Sequence, residues 1–224
     1  MILNNILFII PARKNSIRLK NKNIRKIGGR TLVQWSIDFA LSLKNYFLDI
    51  VVSTDSEKII KISKENSILF IKRKKHISTK EAKSEDVILD ALYWYKKNYF
   101  NMYEKIEAVA LLQPTSPFRS SKLFIKALKF FFEKNLDNIF SVTPIKKKKQ
   151  FIFVKKDKNI KPNGNFYITR SNFFLKKKNL FSGNSYGCII KNKNLLVDID
   201  TLYDYQQAKK IFSISKNKLQ NYTC

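Results

Sequence analysis

The residues with the clearest chemical potential lie in a cationic loop near the start of the chain. The apolar run from Ile6 to Ile10 is typical of a buried strand, and the polar segment that follows includes Arg13 and Lys22. Open α/β sheets bind ligands where a buried parallel strand ends in such a loop. Arginine offers a rigid fork of donors and lysine a mobile point charge, and both suit a polyphosphate. The loop therefore predicts a nucleotide enzyme.

Two carboxylates near the end of the chain form a second candidate site. Asp198 and Asp200 close the apolar run that begins at Leu195, and the run from Leu195 to Asp200 reads as a strand. Residues two apart in a strand share a face, so the two charges repel unless a cation or a shared proton relieves them. Mg²⁺ held by carboxylates and substrate phosphates meets that need. The alternative is a solvated strand end, with Asp200 beside the cap of the next helix.

Strands and helices alternate through the first two thirds of the chain. This order predicts an α/β fold with a mostly parallel sheet and helices on both faces. Right-handed crossovers place the carboxyl ends of the strands along one edge, where the Arg13 loop would meet loops at Asp55 and at 113–119. The predicted strands are Ile6–Ile10, Asp49–Ser53, Ile68–Ile71, Ala108–Leu112 and Asn138–Val142, and the predicted helices are Thr31–Leu43, Ser56–Lys64, Ser84–Tyr95 and Ser121–Glu133.

The pattern changes after Val142. A strongly basic stretch, 146–161, contains a β-segment at Phe151–Val154. A turn at Pro162–Asn165 then precedes a strand at Phe166–Thr169. A last helix is predicted from Leu202 to about Phe212, followed by a polar, frayed tail at 213–224. The length of 224 residues fits a single domain over 1–224.

Composition narrows the classes of partner. A net charge of +27 ordinarily suggests nucleic acid, but Lys, Asn, Ile and Phe are abundant together and the lysines are spread along the chain. This pattern indicates drift of the amino-acid composition and no specific nucleic-acid partner. The alternative is that the charge has been selected for binding a polyanion. No apolar run approaches ~20 residues and no secretory signal is evident, so we expect a cytoplasmic protein without a membrane partner. Cys188 and Cys224 fit neither a disulfide framework nor a zinc motif.

Five short motifs, in order, resemble those of the acylneuraminate cytidylyltransferases, the CMP-sialic acid synthetase family. Close relatives of that family act on pseudaminate, legionaminate and ketodeoxyoctonate. The motifs are Pro11-Ala12-Arg13-x-x-Ser16-x-Arg18-Leu19-x-x-Lys22-Asn23, Ser53-Thr54-Asp55, Leu112-Gln113-Pro114-Thr115-Ser116-Pro117-Phe118-Arg119, Asn163-Gly164-x-x-Tyr167-Ile168 and Asp198-Ile199-Asp200.

The resemblance implies a Rossmann-like nucleotidyltransferase fold, commonly a homodimer, that joins CTP to a nine-carbon sugar acid. Arg13, Lys22 and Asp200 would be the catalytic residues, and Asp198 and Asp200 would hold Mg²⁺. The implied nucleotide-binding residues are Ala12, Arg13, Ser16, Lys22, Asn23, Arg73 and Ser84, and the implied sugar-binding residues are Gln113 and Asn163.

Departures from the family pattern leave a second function open. Ile17 stands where many relatives have lysine, so one phosphate contact is lost unless Arg18 replaces it. The region 144–162, which in the family helps to form the dimer contact and the sugar pocket, is short. The alternative function is therefore a catalytically drifted relative that only binds nucleotide or polyanion.

Overall fold

The computed structural model describes residues 5–79, 81–143, 152–156 and 160–220, without the side chains of 215–220. The strands are β1 (Ile6–Pro11), β2 (Lys26–Ile27), β3 (Arg30–Thr31), β4 (Asp49–Thr54), β5 (Leu69–Lys72), β6 (Ala108–Leu111), β7 (Asn138–Val142), β8 (Phe153–Lys155), β9 (Pro162–Arg170) and β10 (Ser185–Ile189). The helices are α1 (Leu32–Leu41), α2 (Glu57–Glu65), α3 (Ser84–Asn98), α4 (Phe100–Tyr103), α5 (Ser121–Glu133), α6 (Ser171–Lys177) and α7 (Leu202–Gln220).

Eight of these strands form one sheet in the order β5-β4-β1-β6-β9-β7-β10-β8. The pairs β1–β4, β1–β6, β4–β5 and β7–β10 are parallel. Strand β9 runs antiparallel between β6 and β7, and β8 runs antiparallel to β10. The mostly parallel sheet predicted from the sequence is confirmed, and the carboxyl ends of β1, β4, β5 and β6 lie along one edge.

Helices cover both faces of the sheet because successive residues of each buried strand point in opposite directions. Phe8 and Ile10 pack on one face with side chains of α1 and α5, among them Ile37 and Phe124. Leu7 and Ile9 pack on the other face with α3 and α6. A parallel sheet buried on both sides explains why β1 is a continuous apolar run.

A third apolar cluster lies under the cationic loop and fixes the loop to the end of the chain. It joins Leu19 of that loop to Trp35 of α1, to Ile199 and to Ala208 of α7. Trp35 Nε1 also donates a hydrogen bond to the carbonyl of Ile27 at 3.0 Å. This packing holds the cationic loop and the segment with Asp198 and Asp200 against the same helix, α1.

Three local predictions are wrong. The segment predicted as a strand, Leu195–Asp200, begins in a 3₁₀ turn at Lys193–Leu195 and continues as irregular chain. Its backbone pairs with a loop and not with the backbone of a described strand, since Ile199 N donates to the Thr115 carbonyl at 2.8 Å. The turn predicted at Pro162–Asn165 is part of β9, where Gly164 takes a φ of +81° beside an irregular register with β7. Helix α7 continues past the end predicted near Phe212, to Gln220.

The part of the chain that the structure describes contains no helix long and apolar enough to cross a membrane. The β-segment predicted at Phe151–Val154 is found at Phe153–Lys155, while Phe151 lies outside the described residues. So does most of the 144–162 region.

Candidate active site

One cavity of about 290 Å³ opens at the edge where the parallel strands end. Eight of the residues predicted from the sequence line it: Arg13, Lys22, Asn23, Arg73, Ser84, Gln113, Asp198 and Asp200. The other three, Ala12, Ser16 and Asn163, do not line the cavity. Ala12 lies between Pro11 and Arg13, which do, and Asn163 is next to Gly164, which approaches Gln113. Separate parts of the sequence therefore converge on one site.

The cationic loop is held by hydrogen bonds from the neighbouring strand. Thr54 Oγ1 donates to the Ala12 carbonyl at 2.5 Å, and Asp55 Oδ1 accepts from Lys14 N at 2.5 Å. Asn23 Nδ2 donates to the Arg13 carbonyl at 2.9 Å, which closes the loop on itself. Ala12 and Asn23 thus shape the loop backbone. The Arg13 guanidinium lies across the cavity and donates to the carbonyl of Thr79.

Two cations of this loop bind the carboxylate of Asp200. Lys22 Nζ lies 2.7 Å from Asp200 Oδ1, and Arg18 Nη2 lies 2.6 Å from Asp200 Oδ2. The Lys22 side chain is 12% exposed, whereas that of Arg18 is 66% exposed. Lys22 and Asp200 line the cavity, whereas Arg18 does not. Ile17 is 77% exposed and lies outside the apolar clusters.

Asp198 lines the cavity and is exposed there. Its pKa is raised above the ordinary value, chiefly because the surrounding protein displaces water from the carboxyl group. A hydrogen bond from Thr115 opposes that shift, while the negative charge of Asp200 adds to it. A cation placed between these two carboxylates would relieve both effects.

Arg73 forms the buried floor of the cavity at the end of β5. Its guanidinium donates to Ser53 Oγ at 3.1 Å and to the Ser53 carbonyl at 2.8 Å. Burial lowers the pKa of Arg73 to about 10, a shift that Asp55 opposes and Arg13 reinforces. The group still carries its charge at neutral pH, and its fork is fixed before any ligand arrives.

Uncharged groups, among them Gln113 and Ser84, also line the cavity, with Lys83 next to Ser84. Gln113 Nε2 lies 3.5 Å from Ser84 Oγ, at the first residue of α3. A methyl group built on Gly164 would lie 2.8 Å from Gln113 Oε1, so β9 approaches this glutamine closely. The adjacent Asn163 keeps its Nδ2 group buried with no hydrogen-bond partner among the described residues. This buried donor is unsatisfied in the part of the chain that the structure describes.

Thr79 and Thr115 are functional candidates that sequence reasoning missed. Thr79 contributes only its backbone carbonyl, which carries no residue-type signal. Thr115 lies inside the Gln113–Arg119 motif, and its carbonyl accepts from Ile199 N at 2.8 Å. That contact ties the Gln113 loop to the two aspartates, and the motif could have indicated it.

The donor set fits a hard divalent cation shared with a ligand. The described residues contain no group of three or more His, Cys, Asp or Glu side chains able to hold a metal alone. Asp198 and Asp200 supply carboxylate oxygens, and Mg²⁺ commonly takes one or two carboxylates and completes its shell with phosphates and water. The arrangement therefore suits a polyphosphate beside Arg13 and Lys22, the cationic end, and a ligand rich in oxygen acceptors beside Gln113 and Asn163, the amide end.

Comparison with known proteins gives a consistent result. A family model described as Cytidylyltransferase matches residues 7–224. The chain is 32% identical to the post-translational flagellin modification protein B of Campylobacter coli, over 97% of this chain and 98% of that protein. It is 32% identical to the N-acylneuraminate cytidylyltransferase of Escherichia coli O18:K1:H7 over 91% of this chain. That match covers 51% of the relative, so the chain spans about half the length of this protein.

Among solved structures, CMP:2-keto-3-deoxy-manno-octonic acid synthetase complexed with CTP superimposes with a TM-score of 0.68. The match covers 95% of this chain and 100% of that one, at 13% sequence identity. At that identity the similarity establishes the fold, which is the Rossmann-like nucleotidyltransferase fold.

Proposed function

Because the chain belongs to the cytidylyltransferase family, we propose that it activates a nonulosonic, sialic-type acid with CTP. The products are the CMP-sugar and pyrophosphate. The observation that carries the proposal is one cavity in which Arg13, Lys22, Gln113, Asp198 and Asp200 meet. A protein that only bound nucleotide would need the cations but not the whole set.

The triphosphate belongs at the cationic end of the cavity. Arg13 and Lys22 would contact it directly, and Asn23 would hold the loop in place. Ser16 lies in the same loop, half-buried, and would complete the cradle when the phosphates order it. At the buried floor, Arg73 with Ser84 would recognise cytosine, because a fixed guanidinium fork can donate to the base carbonyl.

The sugar acid belongs at the amide end. Gln113 and the unpartnered Nδ2 of Asn163 would hydrogen-bond its hydroxyl or carboxyl oxygens. A buried donor that lacks a partner costs free energy until a ligand satisfies it, which favours a polar substrate here.

The reaction is a nucleophilic displacement at phosphorus. The anomeric hydroxyl oxygen of the sugar attacks the α-phosphate of CTP, the bond from that phosphorus to the β-phosphate oxygen breaks, and pyrophosphate leaves while the hydroxyl proton passes to solvent. Such chemistry depends on positioning and on offsetting charge. Lys22 lies where it would neutralise phosphate charge, and Asp200 keeps that ammonium oriented at 2.7 Å.

Enzymes of this family generally use a divalent metal. We propose that the metal here is Mg²⁺ and that Asp198 and Asp200 hold it. When bound, it would supply positive charge against the α-phosphate. Asp200 would then exchange part of its contact with Arg18 for the metal, and the exposed Arg18 side chain is free to turn toward the phosphates.

We further propose that the protein is a homodimer that uses the short 144–162 region as part of its contact. Strand β8 falls in that region, and among the described strands it pairs only with β10. A free sheet edge offers unpaired donors and acceptors to a second chain. Light scattering after gel filtration would test this, and a mass near 26.4 kDa would exclude the dimer.

The decisive experiment measures pyrophosphate release. Purified protein with MgCl₂ should release pyrophosphate with CTP, far less with UTP or ATP, and only when a nonulosonic acid is added. Calorimetric titration with CTP in the same buffer separates the two candidate functions. Tight CTP binding without pyrophosphate release from any sugar acid in the panel would favour the binding-only protein.

A further inference from the structure

Arg119 is a buried cation whose role the proposed reaction does not explain. The residue is 1% exposed, and no carboxylate pairs with it in the described part of the chain. Its guanidinium lies 5.6 Å from the ring centre of Phe39. Burial lowers the pKa of Arg119 to about 9, so the group remains charged at neutral pH. An apolar side chain would fill the same volume without the cost of a desolvated charge, so packing alone does not account for it.

The donors of this guanidinium join three separate segments. Nη2 donates to the Gln113 carbonyl at 2.5 Å, and Nε donates to the Asn165 carbonyl at 2.7 Å. Nη1 donates to Ser36 Oγ of α1 at 3.2 Å. The fork therefore binds the loop after β6 to the start of β9 and fixes both against a helix of the core.

One of the two backbone carbonyls belongs to Gln113, which lines the cavity, and the other to β9, whose Gly164 approaches the Gln113 side chain. Gln113 is itself a sugar-binding candidate, and Asn165 is two residues from Asn163. Asn165 also ties β9 to the same loop, because its Nδ2 donates to the Phe118 carbonyl at 2.9 Å. The same Nδ2 donates to the Leu195 carbonyl at 3.1 Å. Without Arg119, the loop and β9 would have no shared charged donor between them.

We propose that Arg119 is a positioning residue that sets the separation between Gln113 and Asn163 and thereby the affinity for the sugar acid. It touches neither substrate. The inference rests on the proposed function, since it concerns how that reaction selects its acceptor. It predicts an effect that separates the two substrates, because the cationic loop that would hold CTP is anchored by Thr54 and Asp55 instead.

The test compares Arg119→Lys and Arg119→Met with the wild type. Lysine keeps the charge but cannot satisfy three acceptors in a fixed fork, and methionine keeps the bulk without donors. We expect the KM for the sugar acid to rise at least tenfold in both, because displacing Gln113 from Asn163 weakens the hydrogen bonds that bind the sugar. The dissociation constant for CTP with MgCl₂, measured by calorimetry, should stay within twofold.

Arg170 supplies a matched control. It is the last residue of β9, and like Arg119 it donates from Nε to a backbone carbonyl, that of Leu136, at 2.9 Å. Its guanidinium lies 5.2 and 5.5 Å from the ring centres of Phe131 and Phe132. It is not a residue of the 290 Å³ cavity. Arg170→Met should leave the KM for the sugar acid within twofold of wild type, although it too loses a guanidinium that donates to a backbone carbonyl.

Chemical rescue distinguishes a positioning role from a general contribution to stability. In Arg119→Ala, millimolar guanidinium chloride should restore part of the lost kcat/KM for the sugar acid, and Arg170→Ala should show no such response.

An unchanged sugar KM in Arg119→Lys would overturn the positioning role, as would equal losses for CTP and sugar in both Arg119 variants. If Arg119→Met and Arg119→Ala do not fold, Arg119→Lys decides alone. A wild-type protein that releases no pyrophosphate would refute the proposed function first and this inference with it.

Discussion

Lys22 Nζ and Asp200 Oδ1 lie 2.7 Å apart although 178 residues separate them in the chain. One belongs to the loop after the first strand, and the other precedes the last helix. Both line the cavity, so the ion pair joins the cationic and acidic halves of the site. Because Lys22 is largely buried, this pair fixes the ammonium more firmly than an exposed surface pair would.

The first prediction concerns the triphosphate. Lys22→Ala should raise the dissociation constant for CTP about tenfold or more, equivalent to about 1.4 kcal/mol, because one phosphate contact is lost. Lys20→Ala is the matched control, since Lys20 is exposed in the same loop and does not line the cavity. Calorimetry at constant ionic strength compares them. Equal CTP affinities in the two variants would show that Lys22 does not contact the triphosphate.

The second prediction concerns the acidic half. Asp200→Asn keeps the size of the side chain but removes the charge that orients Lys22 and would bind the metal. Turnover should fall by roughly two orders of magnitude, the scale of losing one electrostatic stabiliser. The melting temperature should change little, because asparagine keeps the shape of a side chain that is 35% exposed.

A control and a readout make the Asp200 experiment specific. Glu65→Gln removes one negative charge from an exposed pair with Lys61 and should leave turnover unchanged. Steady-state pyrophosphate release is measured for both variants over a range of MgCl₂. Near-wild-type turnover in Asp200→Asn at ordinary Mg²⁺ would show that this carboxylate is structural.

Much of the sheet and most of the cavity were predictable from local signals. The apolar run of β1 and the helical spacing of residues such as Ile37 and Phe39 depend only on neighbours along the chain. The convergence of the Arg13, Asp55 and Gln113 loops then follows from parallel strands with right-handed crossovers. Both expectations need only the pattern of neighbouring residues and the order of strands and helices along the chain.

The remaining features depend on contacts between distant segments. Strand β9 inserts antiparallel between β6 and β7, and no local pattern indicates which neighbours it will find. The segment from Leu195 to Asp200 alternates like a strand, yet it is held by a backbone bond to the Gln113 loop instead of a ladder. The ion pair of Lys22 with Asp200 and the buried fork of Arg119 are likewise long-range, so the residue types alone could not pair them.

The third prediction uses two glycines with nearly the same φ angle. Gly164 and Gly29 have φ values of +81° and +83°. Gly164 approaches Gln113 Oε1, whereas a methyl group on Gly29 would meet nothing within 4 Å. Alanine at either position should cost about 1–2 kcal/mol of folding free energy, because the left-handed region crowds Cβ.

Only one of these glycine variants should affect catalysis. Gly164→Ala must displace Gln113, so its KM for the sugar acid should rise several-fold, while Gly29→Ala keeps the wild-type KM. Denaturant unfolding gives the stability change and pyrophosphate release gives the KM. If both variants keep the wild-type KM despite similar destabilisation, Gln113 does not contact the sugar.

The last prediction concerns pH and the start of α7. Thr201 and Asp204 form a reciprocal cap, in which Asp204 Oδ2 accepts from Thr201 N at 2.7 Å and Thr201 Oγ1 accepts from Asp204 N at 3.2 Å. Asp204 Oδ2 also accepts from Asp200 N at 3.1 Å. Partial desolvation acts to raise the pKa of Asp204, but these hydrogen bonds, with the charge of Arg18, leave it lowered overall.

A lowered pKa in the folded state fixes the sign of the pH effect. The unfolded chain binds the proton more readily, so the contribution of Asp204 to stability is present above its unfolded pKa near 4 and is lost as the pH falls through the lower folded value. Asp204→Asn should therefore cost about 1 kcal/mol at pH 7, the typical worth of a cap. The difference from wild type should shrink toward pH 3, as followed by urea unfolding at both pH values. Glu65→Gln, which removes the same charge without a cap, should show no such loss at pH 7. A cost for Asp204→Asn that stays constant down to pH 3 would show that the ionised carboxylate does not stabilise this helix.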